Sequence, residues 1–183
     1  MGIALMSKIE WTDEAIPNLC LGVSVENQEA FDERIPWLLE TPVAKRVLRL
    51  EPLLEQIDIS EAITSAFCTR CDWSGDYGNY NEERECEECP KCEQDSLMDR
   101  QWTTEENKIN QVIVGGESGP GARPFHLEWA RAIHEQCKTS GTAFFLKQVG
   151  SNPFLGGEPL KLKKRKGGDM AEWPEDLRVR ETI

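Results

Sequence analysis

The sequence predicts an α/β fold built on a parallel sheet, and three observations predict it. Short apolar runs alternate with stretches that carry helical periodicity. Polar residues emerge at the end of each run, as they do where parallel strands meet a functional edge. A polar segment holding two Cys-x-x-Cys pairs interrupts the alternation once and reads as a metal-stapled insert.

In chain order, Leu19-Cys-Leu-Gly-Val-Ser-Val25 is the first strand and stops at Glu26-Asn27. A helix follows from Gln28 to Glu40, with Ala30, Phe31, Ile35, Leu38 and Leu39 apolar, and Pro36 is expected to break it or start a second turn. Ala44 to Leu50 reads as a strand ending at Glu51-Pro52, and Leu53 to Ile63 is short and mixed. Gln111-Val-Ile-Val114 is the clearest buried strand and runs into Gly115-Gly-Glu-Ser-Gly-Pro-Gly121. The next helix spans Leu127 to Lys138, with Leu127, Ala130, Ile133 and Cys137 at three- and four-residue intervals, and Ser140-Gly141 stops it. Ala143-Phe-Phe-Leu146 is a further strand, ending at Lys147-Gln148. This divides the chain into residues 1–66 and 96–183, two parts of one α/β domain, with a zinc-ribbon insert at 67–95.

The insert carries Cys68-Thr-Arg-Cys71 and Cys89-Pro-Lys-Cys92, separated by seventeen residues. Each pair offers two sulfurs from one tight knuckle, so Cys68, Cys71, Cys89 and Cys92 form a tetrahedral set for a structural zinc ion. Four thiolates leave no open coordination position for a substrate. Cys86-Glu-Glu-Cys89 overlaps the downstream pair, so one thiol of five is left over. An iron–sulfur cluster on the same thiols is disfavoured but left open by the spacing. Cys20 and Cys137 stand alone and are expected to be buried, and His126 and His134 are expected to serve packing or the surface.

A length of 183 residues and 39% hydrophobic residues suit one core. Without a signal-peptide pattern or an apolar run of membrane-spanning length, the chain is expected to be cytoplasmic, with no membrane partner. The formal charge of −12 opposes sequence-blind binding to a polyanion, so any nucleic-acid contact must be local. The one basic run, Lys161, Lys163, Lys164, Arg165 and Lys166, next to Gly167-Gly168, reads as a solvated loop, with a grip on phosphate as the alternative.

Parallel sheets collect functional groups at the carboxyl ends of their strands. Glu26 and Asn27, Glu51, Gly115 to Ser118, and Lys147 and Gln148 all follow strands and are expected to share one ligand pocket. The glycine-rich turn lets backbone amides approach a ligand, and Arg123 lies near enough to pair with an anion. It lacks the Gly-Lys-Ser/Thr of a P-loop, and a plain strand-to-helix connection accounts for it equally well.

The strings Leu21-Gly-Val-Ser-Val-Glu-Asn-Gln28, Asp32-Glu-Arg-Ile-Pro36, Leu50-Glu-Pro-Leu-Leu54, Val112-Ile-Val-Gly-Gly-Glu-Ser-Gly-Pro-Gly-Ala-Arg-Pro124, Phe144-Phe-Leu-Lys-Gln148 and Trp173-Pro-Glu-Asp-Leu-Arg-Val-Arg180 resemble the phage-encoded protein family named after gene products 37 and 68. The resemblance implies a radical-SAM-like barrel found in phages and prophages, here a partial one. Ser7-Lys-Ile-Glu-Trp-Thr-Asp13 also resembles the start of that family. Its members continue with a three-cysteine cluster, whereas this chain passes from Asp13 to Glu14-Ala-Ile-Pro-Asn18. Radical chemistry on S-adenosylmethionine (SAM) needs an iron site with an open position, so the expected function is a non-catalytic, zinc-stapled module binding a ligand or partner. The alternative is an enzyme that uses the pocket at the strand ends, either by binding SAM or by acid/base work at Glu117 and Lys147. A partial barrel exposes strand edges, so a second copy or a protein partner is expected.

Overall fold

The apolar runs become the strands of one parallel sheet because a helix or a long crossover separates each from the next. The computed structural model describes residues 15–64, 66–68, 74–75, 80–81, 86–87, 97–99, 103 and 106–183. Along them run β1 (Ile16–Ser24), α1 (Gln28–Glu40), β2 (Val43–Leu50), α2 (Ser60–Ile63), β3 (Ala66–Cys68), β4 (Ser74–Gly75), β5 (Tyr80–Asn81), β6 (Cys86–Glu87) and β7 (Leu97–Asp99). Then follow β8 (Gln111–Gly115), β9 (Phe125–His126), α3 (Leu127–Ser140), β10 (Ala143–Gln148), β11 (Pro153–Leu155) and β12 (Glu158–Pro159). The main sheet has the order β1-β2-β8-β10, every pair parallel. It therefore draws its strands from both sides of the cysteine-bearing segment.

One face of this sheet makes the core. Alternation sends Leu48, Leu50, Val112, Val114, Phe144 and Leu146 to the same side, all fully buried. They meet Phe31, Ile35, Leu38 and Leu39 of α1 and Leu127, Ala130, Ile133 and Cys137 of α3 in one cluster. His134 joins it, its ring stacked 4.5 Å from that of Phe144.

Contrary to the sequence expectation, α1 continues through Pro36. A proline inside a helix costs about 3 kcal/mol, while burying each large apolar side chain of α1 contributes about 1.5–3 kcal/mol. Burial on both sides of the proline therefore outweighs the lost hydrogen bond. The last turn of α1 contains no basic residue, and buried Arg46 of β2 serves it instead, donating to the carbonyls of Leu38 at 3.1 Å and Thr41 at 2.6 Å. Helix α3 closes as expected: Gly141 adopts a left-handed φ of 66° and Thr142 N–H donates to Cys137 O at 3.0 Å.

The opposite face is covered only in part: Val47 and Gln111 are buried on it, while several of its other described residues are exposed. Parallel sheets are usually covered on both sides, yet Cys20, Gly22, Ser24, Lys45, Arg49 and Lys147 are exposed. Cys20 corrects the expectation that both isolated cysteines are buried: Cys137 is, but the pleat of β1 turns Cys20 away from the helices. The outer edge of β10 is protected by the chain's last residues, where Leu146 N–H donates to Val179 O at 3.0 Å and Glu181 N–H to Phe144 O at 2.9 Å. No helix among the described residues is long and apolar enough to cross a membrane.

Around the cysteine segment only backbone pairings are described. β3 pairs antiparallel with both β4 and β7, and β5 with β6. Cys71, Cys89 and Cys92, and the side chain of Cys68, lie outside the described residues.

Candidate ligand site at the carboxyl edge

All four strands of the sheet end at one edge, so the residues that follow them are neighbours despite their separation in sequence. The centre of the edge is Glu51. Its carboxylate, only 12% exposed, takes Arg49 at 3.1 Å from its own strand and Lys147 Nζ at 3.1 Å from β10. Gly115 makes that reach possible, because a Cβ there would stand 2.8 Å from Glu51 Oε1.

Next to it, Glu117 and Arg123 form a two-pronged pair, with Arg123 Nε donating to Oε2 at 2.9 Å and Nη2 to Oε1 at 3.0 Å. The Arg123 backbone N–H adds a third bond to Oε2 at 2.9 Å. These bonds from Arg123 hold the Glu117 carboxyl down at about 2, and Glu117 in turn raises the guanidinium. Glu26 follows β1 at the same edge, and its carboxylate pairs with Arg34 at 3.0 Å.

Several strand-end residues serve the fold. Asn27 caps α1, its Oδ1 accepting from Ala30 N–H at 2.9 Å. Gln148 turns inward and donates from Nε2 to Gly116 O at 2.9 Å. Gly116 has no room for a side chain, since a Cβ would lie 2.5 Å from Val149 O. Ser118 is exposed beyond the edge and lines a separate cavity. The presented groups are thus Glu26, Glu51, Glu117, Arg123 and Lys147, together with Arg34 and Arg49, which sequence reasoning missed. Arg49 was traceable, since a residue two before Glu51 on a strand shares its side of the sheet. Arg34 had no comparable signal, being one charge among several on α1.

A family described as protein of unknown function (DUF5131) has a sequence model that matches residues 3–172. The chain belongs to the DUF5131 family. No curated protein and no solved structure matches it. The matched span of this DUF5131 chain contains every strand-end residue named above.

Chemically, the edge is a set of paired fixed charges of both signs. General-base work at neutral pH favours a group whose pKa lies near 7, and Glu117, held at about 2, stays an ionised acceptor. Among the described residues no group of three His, Cys, Asp or Glu is placed to hold a metal ion, and the predicted thiolate set lies outside them.

Proposed function

We propose that this DUF5131 chain is a non-catalytic ligand-binding module, a partial radical-SAM-like barrel whose carboxyl edge takes a small ligand carrying both charge signs. The observation that carries the reading is the convergence of Glu51 and Lys147, from β2 and β10, beside the Glu117–Arg123 pair. SAM is the ligand that the family resemblance implies, and the donor set suits it. In exchange for their pairs within the edge, Glu26 and Glu117 would offer carboxylates to an ammonium or sulfonium, and Arg49 and Lys147 would offer cations to a carboxylate. When bound, SAM supplies an electrophilic sulfonium, but Glu117 lacks the basicity to draw a proton from a substrate beside it.

The zinc ribbon belongs to the same proposal. Its support is the spacing of Cys68, Cys71, Cys89 and Cys92, and a backbone in which β3 and β4 bracket the first knuckle while β7 returns beside β3. The exposed part of that sheet face, around Cys20, Ser24, Lys45 and Arg49, is the surface on which a protein partner or a second copy would rest.

Two measurements test this reading. Protein purified without oxygen should be colourless with one zinc per chain, and stoichiometric iron and sulfide would overturn the assignment. Incubated anaerobically with SAM and a strong reductant, the protein should return the SAM intact, whereas release of 5′-deoxyadenosine would establish an enzyme.

A further inference from the structure

The sequence reading leaves the basic run 161–166 as a solvated loop, yet the fold brings it to face the glycine-rich loop 118–122 across a cavity of about 670 Å³. That volume lies within the range of small-molecule sites. On one wall, Gly119 and Gly121 have left-handed φ values of 114° and 76°, and a Cβ on either would meet nothing within 4 Å. The missing side chains leave that wall unobstructed, although the Gly119 and Ala122 amides are bonded within the protein. Leu160 and Leu162 provide apolar surface, and Arg165 and Lys166 provide positive charge.

The two walls are held in register. Gly119 N–H donates to Ser151 Oγ at 3.0 Å, and the same Oγ donates to the Arg165 carbonyl at 2.6 Å. Gly167, directly after the basic run, is wedged against the Gly150 carbonyl, and its own carbonyl accepts from Trp173 Nε1 at 3.0 Å. The Glu117–Arg123 pair closes the base of the glycine loop.

The nearby charges leave a net positive spot. Asp169 is taken by Lys164 at 2.7 Å, and Glu172 accepts from the Lys163 backbone N–H. Among the described residues no carboxylate pairs with Arg165 or Lys166. Two cations with no carboxylate partner among the described residues thus line the cavity opposite the glycine loop, in a chain of net charge −12.

From this geometry we infer a second ligand site, in which Arg165 and Lys166 bind the phosphate of a free mononucleotide against the 118–122 loop while Leu160 and Leu162 cover its apolar part. The overall negative charge repels a polymer of phosphates but acts weakly on a small dianion, which selects the free nucleotide over a strand. This site shares with the SAM reading only the Glu117–Arg123 pair at the base of its loop and uses none of the Glu51–Lys147 constellation.

The test is a calorimetric titration of the full chain with AMP, inorganic phosphate, adenosine and a ten-residue oligothymidylate in parallel. AMP should bind saturably, adenosine at least tenfold more weakly, and the Arg165→Gln/Lys166→Gln variant should weaken AMP at least tenfold. Both substituted side chains are exposed, and an unchanged circular dichroism spectrum confirms the fold; if it changes, Lys166→Gln alone is required to weaken AMP at least threefold. Failure of AMP to bind, equal binding of adenosine, an unaffected variant, or tighter binding of the oligonucleotide would each overturn the assignment.

Discussion

Lys147 reaches Glu51 across an intervening strand: Nζ lies 3.1 Å from Oε1 although β8 runs between β2 and β10. The bridge exists because Gly115, at the end of β8, carries no side chain to block it. A methyl group there would push the Glu51 carboxylate aside, while one on Gly116 would strike the Val149 backbone, which cannot swing away. Gly115→Ala should therefore cost about 1 kcal/mol, close to the worth of a partly exposed ion pair, and Gly116→Ala about 3 kcal/mol. In a Glu51→Ala background the Gly115→Ala cost should nearly vanish, which a double-mutant cycle by urea unfolding reads directly.

The Glu117–Arg123 pair predicts a pH signature. The folded carboxyl titrates at about 2 against an ordinary 4.5, so the folded state binds this proton less readily than the unfolded chain. Its stabilising contribution is full above 4.5 and is lost as pH falls through that window towards 2. Carboxyl-carbon NMR should find the Glu117 midpoint well below the other glutamates, and Arg123→Ala should return it to the ordinary range. A Glu117 midpoint near 4.5 in the wild type would contradict the pairing.

His134 predicts a second window. Burial lowers its pKa below 6.5, with Lys138 adding in the same direction and Glu135, Glu181 and Asp176 opposing. Its neutral form is the one the core accepts, so stability is full above 6.5 and declines as pH falls below it. Melting temperatures should drop between pH 7.5 and 5.5 in the wild type, and His134→Phe should flatten that slope.

Much of this was legible in the sequence. Val112-Ile-Val114 and Phe144-Phe-Leu146 declared buried strands because a parallel sheet needs unbroken apolar runs, and once the strands were parallel their polar followers had to share an edge. What escaped was the direction of individual side chains. Asn27 and Gln148 stand at strand ends, but one caps a helix and the other braces the Gly116 carbonyl, outcomes decided by local backbone geometry. Pro36 misled because its penalty is local while the compensating burial of Ile35 and Leu38 is tertiary. The basic run is an exposed loop, as its charge suggests, but nothing in sequence shows that Ser151 ties it to Gly119.

The central claim is that the carboxyl edge is a ligand site organised by Glu51, and calorimetric titration with SAM tests it most directly. Saturable binding by the wild type, weakened at least tenfold in Glu51→Gln and unchanged in Arg165→Gln/Lys166→Gln, is the predicted result. Heats that never saturate, or equal affinity in wild type and Glu51→Gln, would contradict it.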